Sequence, residues 1–407
     1  MENNLIKIFK DTIISNHDNG NTINSLIKLN IIDIDDLIEE IIDTYNPEYI
    51  YNFAKYIDND YNDLLADAVS NTRDPEYIYL FARDIKDAPI ELLQDAIIKT
   101  RNPKYLYLFA KDVEKSNPSH IAYFLPRCES SSEYVYLFAK HFKDIRFKEF
   151  TINIIDSADS EIIYKYAKDI DGVPIDELAN AIIKYNDKEY IYLFAKNIKN
   201  APINKLAEAI TKGYKFEEHG ESIYIYLFAK NIENAPIDIL ANAIKETYIF
   251  KNIYSFAKDI KDAPIDTLLE PILWWHIPEQ LYLFARDVKN TPIEKLENYI
   301  IISNDPKYIY LFARDIQNAN VDKLTDAIIE TKNIDYINLF KEKIPNANID
   351  KLNKAISSIK KEKLEQDKYN MLINLVNQKQ YQIILENQEE FTSLINNKKL
   401  IIKKQSK

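Results

Sequence analysis

Cysteine and histidine are the side chains of this sequence with the most chemistry to offer, and they are few. Cys128 is the single cysteine, and the histidines are His17, His120, His141, His219 and His276. A thiol needs a base to become a nucleophile, and His120 or His141 would be that base for Cys128. No oxyanion-hole element or catalytic signature accompanies the pairing. No histidine stands at a metal-ligand spacing from another histidine, a cysteine or an acidic residue, so no metal site is expected. The four glycines, Gly20, Gly172, Gly213 and Gly220, lie outside any G-x-G or G-K-[ST] context. Phosphate loops and dinucleotide folds need glycine for close backbone approach, so no cofactor site is expected either. The chain reads as a protein that is not an enzyme. An enzymatic alternative would have to place its chemistry at residues 114–150 or 270–278, where the pattern described below breaks.

Two further residue types recur at a spacing that suits binding. Tyrosine stands at 51, 79, 107, 136, 164, 192, 226, 254, 282 and 310, and Lys or Arg follows each four residues later. An aromatic ladder beside a basic one is a way to hold a single nucleic-acid strand by stacking and phosphate pairing. Asp follows the basic residue in six places, among them Asp84, Asp112 and Asp169. The expectation is that the rings pack between neighbouring repeats with the hydroxyl at the rim, and that the charges pair from repeat to repeat. Net charge agrees. The chain carries −12, yet residues 351–407 hold 12 Lys against 6 acidic residues, which leaves −18 on the first 350. Such a body is poorly suited to a phosphate backbone. A nucleic-acid-binding repeat, using the tyrosines and the basic tail, stays as the alternative.

Trp274-Trp275-His276 is the sharpest local anomaly, because it holds both tryptophans of the chain. Adjacent residues on a helix point about 100° apart, so one core can hardly take both rings. An exposed indole is a common anchor at protein interfaces. These three residues are the candidate partner-binding site. The competing expectation is that the rings fill a gap left by Pro271, a proline that would disrupt the helix carrying them.

What must position these residues is a tandem repeat. Phe53, Phe81, Phe109, Phe138, Tyr166, Phe194, Phe228, Phe256, Phe284, Phe312 and Phe340 form one series with spacings of 28, apart from one of 29 and one of 34. Each unit reads as two short helices. The first opens with Asn or Asp before Pro, as in Asp74-Pro75, an N-cap followed by the residue that tolerates a missing N–H. Ile78, Phe81, Ala82 and Ile85 then share one face. A second proline, Pro89 in this unit, ends the first helix and starts the second, which carries Ile90, Leu93, Ala96 and Ile97. Neither helix is stable alone, so each hairpin must bury its apolar face on the next. The predicted fold is all-α: an elongated α-solenoid of about eleven to twelve ~28-residue helix-turn-helix repeats with a C-terminal helical cap.

The recurring Y-I-Y-L-F-A-[KR]-[DN]-I and A-P-I-x-x-L-x-x-A-I strings resemble those of α-helical tandem-repeat proteins found among uncharacterised proteins of AT-rich large DNA viruses, phages and bacteria. The resemblance covers roughly residues 45–356 and implies architecture, not activity. The heavy use of Ile, Asn, Lys and Tyr agrees with an AT-rich genome. Residues 1–44 read as an N-terminal cap with a degenerate repeat, 45–356 as the solenoid, and 357–407 as a C-terminal helical cap, with helices expected at Ser357–Asn377 and Tyr381–Ile395, followed by a basic tail. The pattern breaks at Glu114–Phe150, where Arg146 replaces a proline, at the six-residue insertion around Gly213–Gly220, and at Pro271–Pro278. Met1–Asn16 is no signal peptide and no 18-residue apolar stretch exists, so a soluble, cytoplasmic protein without a membrane span is expected. The leading expectation of function is a monomeric scaffold that binds another protein.

Overall fold

The computed structural model describes residues 34–57, 59–145, 148–213 and 222–377. Among these, 23 α-helices and no strand occur, and helix accounts for 74%. The fold is an all-α solenoid of repeated helical hairpins. His17, His219, Arg146, most of the Gly213–Gly220 insertion, the helix expected at Tyr381–Ile395 and the basic tail lie outside the described residues.

One hairpin shows why the sequence folds this way. Asp74 precedes the helix Pro75–Asp84, and its carboxylate accepts the N–H groups of Glu76 at 2.9 Å and Tyr77 at 3.2 Å. Pro75 at the first helical position loses nothing, since its N–H would have been an orphan. The helix ends at Ile85, whose N–H bonds Phe81 O, and the chain reverses through Asp87 in the left-handed region. Pro89 then stands as the cap of the helix Ile90–Thr100. The proline is therefore one residue outside the second helix, and the reversal is made before it. The next link is a second left-handed residue, Arg101, flanked by Thr100 and Asn102. Thr100 Oγ1 donates to Ile97 O at 2.6 Å and accepts the N–H of Asn102 at 3.3 Å. The same Thr or Ser device recurs at Thr44, Thr72, Ser157, Ser303 and Thr331.

The chain divides into two compact units. The first holds the described residues up to Gly213 together with Asn231–Pro236, and the second holds Ser222–Lys230 and Ile237 onward. Within the first, each first helix packs on the next: Pro47–Ala54 on Pro75–Asp84, then Pro103–Asp112, Ser132–His141, Ser160–Asp169 and Lys188–Asn197. Within the second, Phe250–Asp259, Pro278–Asp287, Pro306–Asp315 and Ile334–Lys343 stack likewise. The phenylalanine anchors are fully buried in both. Truncating such a side chain costs about 3–5 kcal/mol, so each anchor fixes its own hairpin and the neighbour it touches.

Two expectations about elements change. Ile349–Asn377 is one helix of 29 residues, so the last repeat helix and the first expected cap helix are continuous, with no break at 356. Pro271 does not disrupt its helix either, since Ile265–Trp275 runs through it. Pro271 is buried at the register of Ala96 and Ala181, and it forfeits only its own N–H bond.

Candidate partner-binding site

The tyrosine and basic ladders turn out to be tied to each other. Tyr51 Oη donates to Asp84 at 2.5 Å, Tyr136 to Asp169 at 2.6 Å, Tyr226 to Asp259 at 2.5 Å and Tyr282 to Asp315 at 2.5 Å. Each bond runs from one repeat to the next. Burial and the neighbouring carboxylate raise the pKa of the Tyr51, Tyr226 and Tyr282 phenols, which keeps them protonated as donors. The residue four positions on lies over its own ring, for example Lys55 at 4.0 Å from Tyr51, Arg83 at 5.1 Å from Tyr79 and Lys230 at 5.1 Å from Tyr226. Lys140 and Lys230 also reach the aspartate of the following repeat, at 2.6 and 2.8 Å. Arginine behaves differently: Arg83 and Arg286 grip the adjacent Asp84 and Asp287 with two nitrogens each. The ring faces are further covered by a second tyrosine series, such as Tyr77 on Tyr51 and Tyr105 on Tyr79, with centroids 5.9 and 6.0 Å apart. That second series was readable in the Y-I-Y strings as two tyrosines one face apart.

Cys128 is buried and its Sγ faces Phe124 O at 3.7 Å. Burial raises the thiol pKa, which makes it a poorer nucleophile at neutral pH. His120 Nδ1 meets Gln94 Nε2 at 3.1 Å and its ring stands edge-on to Phe124, while His141 stands edge-on to Phe142. The pairing of Cys128 with either histidine is therefore not what the geometry assembles. His141 occupies the register of the ladder aspartates Asp112 and Asp169, so the rung from Tyr107 lacks its acceptor carboxylate. Among the described residues, no group of three or more His, Cys, Asp or Glu is arranged to hold a metal ion.

The insertion is preceded by a different device. Lys188 takes the register of Pro75 and is buried, with Nζ donating to Asn186 Oδ1 at 2.8 Å, to Ala209 O at 2.9 Å and to Lys212 O. It thereby supplies donors to carbonyls at the end of the helix Ile203–Ile210, where the regular turn is interrupted. Gly213, at φ +79°, sits where an added Cβ would lie 3.2 Å from Asn186 Nδ2.

The tryptophans fall at a junction that is regular in backbone and irregular in side chains. Trp275, His276 and Ile277 stand where Thr72, Arg73 and Asp74 stand seven repeats earlier. His276 is left-handed at φ 54°, as Arg73 and Arg101 are. Ile277 cannot cap, and the helix Pro278–Asp287 starts without a side-chain hydrogen bond. The preceding junction does the same: Tyr248 is left-handed at φ 55°, and Ile249 is the uncapping residue before Phe250–Asp259. Ile249 and Ile277 are the only apolar N-caps among the first helices described. Loss of a polar N-cap costs about 0.5–2 kcal/mol.

What these junctions present instead is apolar surface. Trp274 is 72% exposed, Tyr248 44% and Ile277 42%, and Ile302, at the register of Trp274 one repeat on, is 68% exposed. Trp275 is half-buried. Trp274, Trp275, Tyr248 and Pro271 line a cleft of about 580 Å³ with Lys245, Glu246 and Glu270. Lys245 Nζ lies 3.0 Å from Glu270 and 3.6 Å from Glu246, holding both carboxylates at the cleft. His276 is exposed and is not among the cleft residues. Its Nδ1 lies 2.8 Å from Trp274 O and its ring packs on Tyr299, at 5.1 Å between centroids. The first unit has a smaller cleft of about 370 Å³ where Tyr166 replaces the phenylalanine anchor, with its hydroxyl 3.5 Å from Thr151 Oγ1.

No known family model and no characterised protein sequence matches this chain.

Proposed function

We propose that this protein is a non-enzymatic, monomeric repeat scaffold that acts in the cytoplasm by binding another protein, and that the partner docks on the cleft of Tyr248, Trp274 and Trp275. The observation that carries this reading is the pair of adjacent junctions that give up their caps. A regular repeat would place Thr-x-Asp at 275–277; the chain instead accepts weaker helix starts and exposes an aromatic surface. Side chains that break a local rule without local compensation are expected where function is held. Exposed, rotamer-poor aromatics give contact area at low entropic cost. The ladders support a protein partner over a nucleic-acid strand, because their rings and cations are engaged with one another. No helix among the described residues is long and apolar enough to cross a membrane. The test is a photo-crosslinking amino acid at position 274, irradiated in the native cell. A discrete protein adduct, lost when Trp275 is also changed to Ala, supports the reading. An adduct that nuclease removes, or none, overturns it.

A further inference from the structure

Several ladder rungs of this fold place a cation between an aromatic face and a carboxylate. Arg83 lies over Tyr79 and grips Asp84, and Arg286 lies over Tyr282 and grips Asp287. The cleft offers the same two elements without the third. Trp274 supplies an exposed indole, the best of the aromatic faces for a cation. Glu246 and Glu270 supply carboxylates whose side chains are 62% and 64% exposed. Among the described residues no Lys or Arg lies over either indole. Lys245, the cation in the cleft, is spent on the two glutamates and leaves a surplus of one negative charge. The surrounding chain adds to it, with −18 on the first 350 residues.

We propose that the cleft receives an arginine side chain from an exposed segment of a second protein, stacked on Trp274 and paired with Glu270. This rests on the cleft being the docking site and names the chemistry of what docks there. Arginine fits better than lysine, because a planar guanidinium stacks on an indole and takes a carboxylate with two nitrogens at once. The apolar surface that Tyr248 and Pro271 give the cleft suits the aliphatic stem and the residues beside it.

The chain is built for the measurement, since its two tryptophans are Trp274 and Trp275 and their emission reports on this cleft alone. The full chain is titrated with a short end-capped peptide bearing arginines at alternate positions, and with its citrulline counterpart, which keeps the shape and removes the charge. The proposal expects a saturable change in emission with the arginine peptide and at least tenfold weaker binding of the citrulline one. Glu270→Gln, at an exposed position that leaves the fold intact, should weaken the arginine peptide at least threefold. Equal binding of the two peptides overturns the proposal, and so does an unchanged affinity in Glu270→Gln. If neither peptide binds while a crosslinker at 274 still captures a protein, the cleft docks a partner of other chemistry; if both fail, the docking site itself is wrong. The chain's own Lys398, Lys399, Lys403 and Lys404 carry related chemistry. Should their joint replacement by Ser tighten the arginine peptide tenfold or more, the occupant is this chain's tail and the proposal of a second protein falls.

Discussion

Glu297 Oε2 accepts the backbone N–H of Asn320 at 2.6 Å, linking the second helix of one repeat to the start of the next. Gln94 Oε1 makes the same bond to Asn117 N, also at 2.6 Å. Asn117 and Asn320 are positions where the repeat lacks its usual proline, so each has an N–H that proline would not. The preceding repeat supplies a buried acceptor for it. Where the following repeat keeps proline, as at Pro89, Pro202, Pro236 and Pro264, that place is held by Ala66, Ala179, Ala207 and Ala241.

Glu297→Ala should therefore cost about 1–3 kcal/mol, the penalty for a buried N–H without a partner. In an Asn320→Pro background the same change should be close to neutral, because no N–H remains to satisfy. Denaturant unfolding of the four proteins in the double-mutant cycle measures this, and equal costs in both backgrounds would contradict it.

Burial raises the pKa of Glu297 above the ordinary carboxylate value. A folded-state pKa above the unfolded one means that the folded protein binds the extra proton. The stabilisation is fully present below the unfolded pKa and is lost as pH rises through the folded one. Glu297→Gln, which copies Gln94, should be at least as stable as the parent at neutral pH and should flatten this part of the pH profile. Melting curves across the acid-to-neutral range test it; a variant less stable at pH 7 would count against the sign.

The ladder aspartates behave oppositely. The bidentate grip of Arg286 holds the Asp287 carboxyl down at about 2, and Asp84, Asp169, Asp259 and Asp315 are lowered by Arg83, Lys140, Lys230 and Arg314. Depressed pKa values contribute stability above the unfolded value near 3.8 that is lost as pH falls toward 2. Thermal stability should hold at mildly acidic pH and then fall over that interval. Asp287→Asn should blunt the fall, and an unchanged acid profile would show that this rung contributes nothing.

Phe194 is fully buried, and Phe194→Ala should cost about 3–5 kcal/mol. Within its unit the damage should be local, because each hairpin contacts its neighbours only. Hydrogen exchange should quicken in Lys188–Asn197 and Ile203–Ile210 before it does in Pro47–Ala54. A single transition shared by all these segments would contradict nearest-neighbour behaviour.

The hairpin architecture was legible because the phenylalanine spacing, the Asn/Asp-Pro starts and the apolar faces are repeated many times over. Three things were not. Left-handed turn positions carry Arg, Asp, Lys, Tyr and His as well as Asn, so a reading that looks to glycine for positive φ passes over them. The partner of most ladder tyrosines lies 33 residues away, a repeat plus more than a turn of helix, and only packing selects it. Pro271 reads as a helix breaker, yet in a helix held by neighbours on both sides the loss of one N–H bond is tolerated. At the candidate site the sequence singled out Trp274, Trp275 and His276. It gave no sign of Tyr248, Glu246 and Glu270, which reach the cleft from the adjoining repeat or an earlier turn of the helix, nor of His276 turning to Tyr299.

Recognition at one junction, with the ladders serving structure, is the claim that one comparison tests most directly. The partner crosslinked at position 274 is purified, and its capture is measured with the parent chain, with Trp274→Ala plus Trp275→Ala, and with Tyr79→Phe. The tryptophan pair should cut capture at least tenfold, about 1.4 kcal/mol, with helicity unchanged. Tyr79→Phe deletes the 3.0 Å bond to Asp112 and should lower stability by about 0.5–1.5 kcal/mol while capture stays the same. Capture that survives the tryptophan pair and fails in Tyr79→Phe would place recognition on the ladder and contradict the account.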